Sequence, residues 1–264
     1  MNLLLNQAIP VDHGGAVVDV VADIRPAGPD VVLLLHGLSS TKESFAGVVE
    51  SPALAHLTTC AIDLPGHGRT APLVTGPHTL EAYADVVIRV VARLAPLRLH
   101  VVGHGLGGAV GLIAAQGSTK GLVTFTSVEA TLVGEDAGLV SRQIADLELE
   151  DFAVNEFHRF VDSLRSAPEA DLRAWGDWTA TCAPAAVHES SRSLVEWADS
   201  GKLLGWYRAL PRAAHLYGAL GDRAGHLVPL LDESTTFAIP DSGHFPMVDN
   251  PGALHSALAA IIGH

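Results

Sequence analysis

The chain reads Val101-Val102-Gly103-His104-Gly105-Leu106-Gly107-Gly108 between a segment typical of a β-strand and a segment typical of a helix. A sharp strand-to-helix turn brings two backbones close together, which favours small flanking residues, and it places its central residue at positive φ. Glycine adopts that conformation without strain. Phosphate-binding turns are also rich in glycine, but in a dinucleotide-binding unit the turn follows the first strand, and here about four strands precede it.

Strand-like and helical segments alternate on both sides of this turn. Near-continuous apolar strands alternating with helices predict an α/β fold with a mostly parallel, doubly wound sheet, buried on both faces. Such a sheet binds its ligand at the carboxyl ends of its strands. The predicted strands are Val17–Ile24, Val31–His36, Thr58–Asp63, Leu97–Gly103, Leu122–Glu129, Ala213–Ala219 and Thr235–Ile239, and the clearest helices are Leu80–Leu94, Leu106–Gln116 and Pro251–Ile262.

The alternation breaks between about residues 131 and 210, where the pattern is helical and no strand is predicted. We expect residues 1–130 and 211–264 to form one α/β core, into which residues 131–210 are inserted as a helical cap. The aromatic residues of the insertion could form the core of the cap or line an apolar substrate pocket beneath it. They are Phe152, Phe157, Phe160, Trp175, Trp178, Trp197, Trp206 and Tyr207.

Three further motifs accompany the turn at Gly105. Leu35-His36-Gly37-Leu38 ends a buried strand, Asp63-Leu64-Pro65-Gly66-His67-Gly68-Arg69 follows the next strand, and Ser242-Gly243-His244-Phe245-Pro246 follows the last. In this order they resemble the His-Gly oxyanion loop, the D-x-P-G-x-G turn and the catalytic-histidine loop of the α/β-hydrolases. The turn itself resembles the G-x-S-x-G nucleophile elbow of that family. The chain is therefore identified as a member of the α/β-hydrolase superfamily, with Gly105 at the position of the serine.

The resemblance implies roles for particular residues. His244 would be the general base, because a neutral imidazole there can accept a proton from a hydroxyl and return it to a leaving group. The backbone N–H groups of Leu38 and Leu106 would bind the substrate oxyanion. His36 and Gly37, in the same loop as Leu38, would belong to this oxyanion and substrate-binding site.

The acid that orients His244 has two candidates. Glu129 ends the strand that follows the elbow helix, where a carboxylate without a neighbouring charge needs a partner. Asp222 follows the next strand, in a Gly-Asp-Arg sequence that is also typical of a solvated turn. We favour Glu129, whose Val-Glu-Ala context is similar to that of the haloalkane dehalogenases, although those enzymes have aspartate at the elbow. We expect His244 to contact one of the two carboxylates but not both.

Gly105 has no side chain, so no acyl-enzyme can form on it. One explanation is an inactivated variant, in which glycine replaces the serine of a hydrolase for an ester, thioester, lactone or amide bond of a small apolar substrate. A second is a natural lyase, cyclase or decarboxylase that uses His244 and the oxyanion donors. A third is a non-catalytic ligand-binding protein, which the retained histidine loop and acid argue against because binding requires neither.

The bulk composition narrows the partners. The formal net charge of −13 opposes binding to nucleic acid and to anionic lipid, and no Lys/Arg cluster offsets it. The first ten residues have no basic region and only a short apolar run, unlike a signal peptide or a spanning helix. Cys60 and Cys182 have no metal-ligand spacing. We expect a cytoplasmic monomer or homodimer that takes a small-molecule substrate and needs no cofactor, metal, nucleic acid or membrane.

Overall fold

A computed structural model describes residues 3–118, 120–221 and 226–263 of the chain. In these ranges an eight-stranded sheet has the order β1-β2-β4-β3-β5-β6-β7-β8. The strands are β1 (Leu4–His13), β2 (Ala16–Arg25), β3 (Val31–Leu35), β4 (Thr58–Ile62), β5 (Leu99–His104), β6 (Leu122–Val128), β7 (Ala213–Gly218) and β8 (Thr236–Ile239).

Most of the sheet is parallel. β2 pairs antiparallel with β1 and β4, and every other pair of neighbouring strands is parallel. The central strands β3 and β5 consist entirely of buried residues, because helices cover both faces of the sheet. The predicted α/β fold class is confirmed.

Strand β1 is the element that the sequence patterns do not indicate. Its first five residues are exposed, so the strand lacks a regular alternation of buried and exposed positions. It also contains Pro10, opposite Asp19 of β2. Because β1 is an edge strand, only one of its sides needs backbone hydrogen bonds, and the proline is tolerated there.

Helices pack on both faces of the sheet. Alternate residues of β3 point to opposite sides, with Leu33 and Leu35 in the hydrophobic core next to α2 and α3 and with Val32 and Leu34 in the core next to α1 and α11. The helices are α1 (Ala46–Glu50), α2 (Leu80–Leu94), α3 (Leu106–Gly117), α4 (Gly138–Ala145), α5 (Leu149–Asp151), α6 (Phe157–Arg165), α7 (Ala170–Thr179), α8 (Pro184–Asp199), α9 (Lys202–Ala209), α10 (Pro246–Asp249) and α11 (Pro251–Gly263). Among those described, none combines the length and the apolar run that a membrane crossing requires.

The chain between β6 and β7 is helical, from α4 to α9, with a π-helical turn at Phe152–Glu156. Its aromatic residues lie in three environments. Phe152 and Phe157 belong to a small hydrophobic cluster within this helical segment, whereas Tyr207 is part of the main core. Trp175 packs on Phe245, which lies in the loop after β8. The aromatic residues of this segment therefore pack within the segment, in the main core and against the loop after β8.

Candidate functional site

The turn between β5 and α3 is tight, and its central residue has a positive φ. Gly105 has φ 48° and ψ −116°, a conformation that residues other than glycine rarely adopt. The glycines beside it are required by close packing. A Cβ atom on Gly103 would lie 2.6 Å from the carbonyl oxygen of Gly107, and one on Gly107 would lie 2.5 Å from that of His36. Backbone crowding thus accounts for the glycine-rich sequence of this turn.

A histidine–carboxylate pair lies beside the turn. Nδ1 of His244 is 3.2 Å from Oε2 of Glu129, and the backbone N–H of Gly218 donates to Oε1 of the same carboxylate at 2.6 Å. Glu129 is fully buried, whereas 38% of the His244 side chain is exposed. Since the carboxylate accepts the proton of Nδ1, Nε2 of the neutral ring is left as the acceptor. The other candidate acid, Asp222, lies outside the described residues.

The exposed nitrogen of His244 faces Gly105. An ideal Cβ atom on Gly105 would lie 4.0 Å from Nε2 of His244 and 3.7 Å from the Cα atom of Gly37, which is ordinary contact distance. A hydroxyl oxygen one bond further out would come within hydrogen-bond distance of that nitrogen in a suitable rotamer. The turn therefore has room for a nucleophilic side chain next to the base.

Backbone donors border the same space. Leu106 is the first residue of α3, so its N–H group has no acceptor within the helix. Leu38 follows β3, and its carbonyl oxygen accepts a hydrogen bond from Nε1 of Trp175 at 3.1 Å. Neither N–H group donates to another described residue. Both residues line the same cavity as Gly105 and His244, as an oxyanion site requires.

The side chain of His36 stabilises the loop that follows β3. It is fully buried, and neither His36 nor Gly37 is among the described residues that line the cavity, although both were expected to belong to the substrate-binding site. Its Nε2 accepts the N–H of Leu64 at 2.9 Å, and its Nδ1 contacts the carbonyl oxygen of Gly37 at 2.8 Å. Burial lowers the pKa of His36 to about 4, so the ring is neutral and holds the loop in place.

The cavity at the turn, which we call the elbow cavity, has a volume of about 470 Å³. Its described lining includes three acidic residues and no lysine or arginine. A larger cavity of about 620 Å³ lies at the amino ends of β6 to β8 and includes none of the site residues. The elbow cavity is lined by Leu38, His104, Gly105, Leu106, Glu129, Thr131, Glu135, Asp136, Ala137, Val140, Ser141, Trp175, Leu194, Gly221, His226, His244 and Phe245.

A second histidine–carboxylate pair in the elbow cavity is missing from the sequence predictions. Nε2 of His226 lies 2.6 Å from Oδ1 of Asp136. The other oxygen of that carboxylate accepts the backbone N–H groups of Leu132 at 2.8 Å and Val133 at 3.1 Å. The two residues are 90 positions apart and belong to no motif, so no signal in the sequence relates them.

Comparisons with known proteins identify the family of the chain. Residues 32–257 match the model of the alpha/beta hydrolase family. The magnesium-chelatase 30 kDa subunit of Rhodobacter capsulatus is 30% identical over 220 residues, which are 77% of this chain and 75% of that protein. The dihydrolipoyllysine-residue acetyltransferase component of the acetoin cleaving system of Cupriavidus necator is 31% identical over 150 residues. That match covers 46% of this chain and 40% of the relative's length.

Solved structures show the same fold. A thermophilic esterase from Thermogutta terrifontis has a TM-score of 0.78 at 18% identity, with 97% of this chain and 98% of the esterase covered. A serine-to-glycine mutant of the N-acyl homoserine lactonase AidH, in complex with N-hexanoyl homoserine lactone, has a TM-score of 0.74 at 19% identity. That superposition covers 99% of this chain and 97% of the lactonase.

Proposed function

This chain belongs to the alpha/beta hydrolase family, and on that premise we propose that the elbow cavity is the substrate site of a hydrolase with Gly105 at the position of the nucleophile. Its substrates are esters, thioesters, lactones or amides of small apolar compounds. The observation that carries the proposal is the open space at Gly105, where a Cβ atom would lie 4.0 Å from Nε2 of His244.

Each residue has a step in the reaction. With a serine at position 105, Nε2 of His244 would remove the hydroxyl proton while the oxygen attacks the carbonyl carbon. The N–H groups of Leu38 and Leu106 would hold the oxyanion, and Glu129 would keep the Nδ1 proton in place. The protonated His244 would then pass its proton to the leaving group. In the second half of the reaction, His244 would deprotonate a water molecule, which attacks the acyl-serine ester. His244 would then return the proton to the serine oxygen as the acid leaves.

The glycine form has a slower route. A water molecule beside Gly105 can be deprotonated by His244 and attack the carbonyl carbon directly, without a covalent intermediate. Oxyanion binding and positioning alone leave a residual acceleration of roughly 10³–10⁴-fold over water when a triad member is absent. We therefore propose that this chain binds such substrates and turns them over slowly.

The structural relatives support this class of ligand. They include an esterase, and a lactonase whose serine-to-glycine mutant is described in complex with a lactone. We propose by analogy that the glycine form of this chain also holds an uncleaved lactone or ester. The apolar side chains of Leu38, Trp175 and Phe245 along the elbow cavity favour an apolar acyl or alkyl group.

One observation favours a second candidate function. The pair of His244 and Glu129 is complete although Gly105 has no hydroxyl for it to activate. Such a pair can still move protons on a bound substrate, as lyase, cyclase or decarboxylase chemistry requires. In that case the glycine is native to the mechanism, and the oxyanion donors stabilise an enolate or a related anion.

Gly105→Ser is the test of the proposed function. We expect hydrolysis of p-nitrophenyl acetate and butyrate to rise on the order of 10³-fold or more, with a burst of p-nitrophenol, because the hydroxyl is the missing part of the triad. Gly105→Ala is the matched control, since it carries the same backbone constraint without a hydroxyl. His244→Ala in the serine background should abolish the gain. Equal rates for the serine and alanine forms would exclude the hydrolase, and turnover by the glycine form alone would favour the second candidate.

A further inference from the structure

His226 is a cavity residue to which the proposed reaction assigns no step. Its side chain is 34% exposed, whereas that of its partner Asp136 is fully buried. Asp136 lies in the turn that precedes α4, and His226 lies in the connection between β7 and β8. Both line the elbow cavity with Gly105 and His244. The pair therefore places one fixed polar group at the substrate site, in addition to the catalytic histidine.

The surroundings of Asp136 determine which nitrogen of His226 carries the proton. The backbone N–H groups of Leu132 and Val133 donate to Oδ2, and Oδ1 faces Nε2 of His226 at 2.6 Å. An ionised carboxylate can only accept hydrogen bonds, so Nε2 is the donor. In the neutral ring, Nδ1 is then an acceptor, and it has no hydrogen-bond partner among the described residues.

The charges around the elbow cavity select against an anionic ligand. Glu129, Glu135 and Asp136 line it, and its described lining contains no lysine or arginine. A substrate carboxylate or phosphate would be repelled by these residues. A neutral substrate with an N–H or O–H group can donate a hydrogen bond to Nδ1 of His226 without that repulsion. A bound ligand that covers Nδ1 without offering a donor pays the cost of an unsatisfied acceptor.

We propose that His226, oriented by Asp136, binds the substrate by accepting a hydrogen bond from an N–H or O–H group other than the group that reacts. This proposal rests on the proposed function and narrows it to neutral carbonyl compounds that carry a second polar group, such as an amide or a hydroxyl. His226 is a specificity residue, and His244 remains the base.

A purely structural role makes a different prediction. If the pair only joined the connection after β7 to the turn before α4, its loss would lower stability and weaken all ligands alike. A hydrogen bond to the substrate instead changes the preference between two ligands that differ by one donor. The ratio of two dissociation constants therefore separates the two roles.

The test uses the chain as it is, with Gly105, and two probes. One probe is N-hexanoyl homoserine lactone, which has an amide N–H group, and the other is its N-methyl derivative, which has none. Isothermal titration calorimetry at neutral pH gives both dissociation constants. We expect the N–H ligand to bind roughly two- to tenfold more tightly, the range of one neutral hydrogen bond. Equal affinities would overturn the proposal.

Variants then test whether His226 is the residue that accepts the hydrogen bond from the ligand's N–H group. His226→Phe should bring the two affinities close together, while His56→Phe, a matched change at an exposed histidine outside the elbow cavity, should leave the ratio unchanged. His226→Gln keeps both a donor for Asp136 and an acceptor for the substrate, so it should retain part of the preference for the N–H ligand. Circular dichroism shows whether His226→Phe folds. If it does not, the ratio of the two dissociation constants is measured on His226→Gln instead.

The outcomes are distinct. An unchanged ratio of the two dissociation constants in folded His226→Phe overturns the role of His226 and leaves the proposed function intact. If His226→Phe does not fold, an unchanged ratio in His226→Gln has the same meaning. Failure of both ligands to bind any form removes the lactone class from the proposed function, and the inference about His226 is lost with it.

Discussion

Gly105 and Glu129 follow neighbouring parallel strands, and both have positive φ, 48° and 49° respectively. Glycine takes this conformation freely, but for glutamate it costs on the order of 1–3 kcal/mol. The hydrogen bond from Gly218 and the contact with His244 offset that cost. Backbone strain at a buried carboxylate is thus a sign that the position of the carboxylate matters to the site.

The role of Glu129 can be tested in the Gly105→Ser background. Glu129→Gln preserves the shape of the side chain but no longer holds the proton on Nδ1 of His244, so we expect the esterase kcat to fall by up to about 10⁴-fold. Glu135→Gln, a matched change on the wall of the same cavity, should have little effect. Steady-state kinetics on both variants check this, and equal rates would show that Glu129 does not orient the base.

The sequence predicts several residues of the candidate site. Gly105, Leu106 and His244 lie in motifs with a fixed order, and Glu129 stands out as a carboxylate at the end of an apolar strand. The pair of Asp136 and His226 could not be predicted, because it depends on two connections that become neighbours only when β6 pairs with β7. Long-range pairs without a motif need the fold first.

At the scale of elements, the position of α3 depends on close contact with β3. A Cβ atom at Gly107 would lie 2.5 Å from the carbonyl oxygen of His36 and closer still to that of Leu35. Any side chain there must push α3 away from the sheet. Such a shift would also move the N–H group of Leu106 out of the oxyanion site.

This packing gives a prediction with an internal control. Gly107→Ala should lower the free energy of unfolding by about 1–3 kcal/mol, the usual cost of overpacking. Gly205→Ala, in the exposed face of α9, should raise it by about 1 kcal/mol, because the new Cβ atom meets no atom within 4 Å and alanine favours helix. Urea denaturation measures both changes. Equal effects would show that α3 tolerates displacement from the sheet.

The sequence predicts some elements well and others poorly. The three helices read from periodicity agree with α2, α3 and α11 to within one residue at each end. Asn250 caps α11, since its Oδ1 accepts the N–H of Ala253 at 3.2 Å. These helices have strong signals because they pack on a sheet. Strand β1 lacks such a signal, because an exposed edge strand has few buried positions to reveal it.

At the scale of the whole molecule, buried histidines couple stability to pH. Burial lowers the pKa of His36 and of His100 to about 4 and that of His67 to about 3. In the unfolded chain these groups titrate near pH 6.5, so the unfolded state binds more protons as pH falls below that value. Their contribution to stability is complete at neutral pH and is lost as pH falls toward 4.

Two carboxylates act in the opposite direction, because burial raises the pKa of Asp63 and of Asp249. Burial raises the pKa of Asp63 to about 6, so between about pH 4 and 6 the folded state retains a proton that the unfolded state has released. The three histidines outweigh these two carboxylates. We expect the free energy of unfolding to fall below pH 6 by about 1.4 kcal/mol per pH unit or more. Urea denaturation at pH 7.5, 6 and 5 checks this, and constant stability across the series would contradict it.

The central claim is that position 105 is a nucleophile position with its base in place. The most direct measurement is the intact mass of the Gly105→Ser variant after reaction with diethyl p-nitrophenyl phosphate. We predict one diethylphosphoryl group per chain, on the new serine, with release of one equivalent of p-nitrophenol. The glycine form should remain unlabelled, and His244→Ala in the serine background should react far more slowly. An unlabelled serine variant, or labelling that does not depend on His244, would contradict the account.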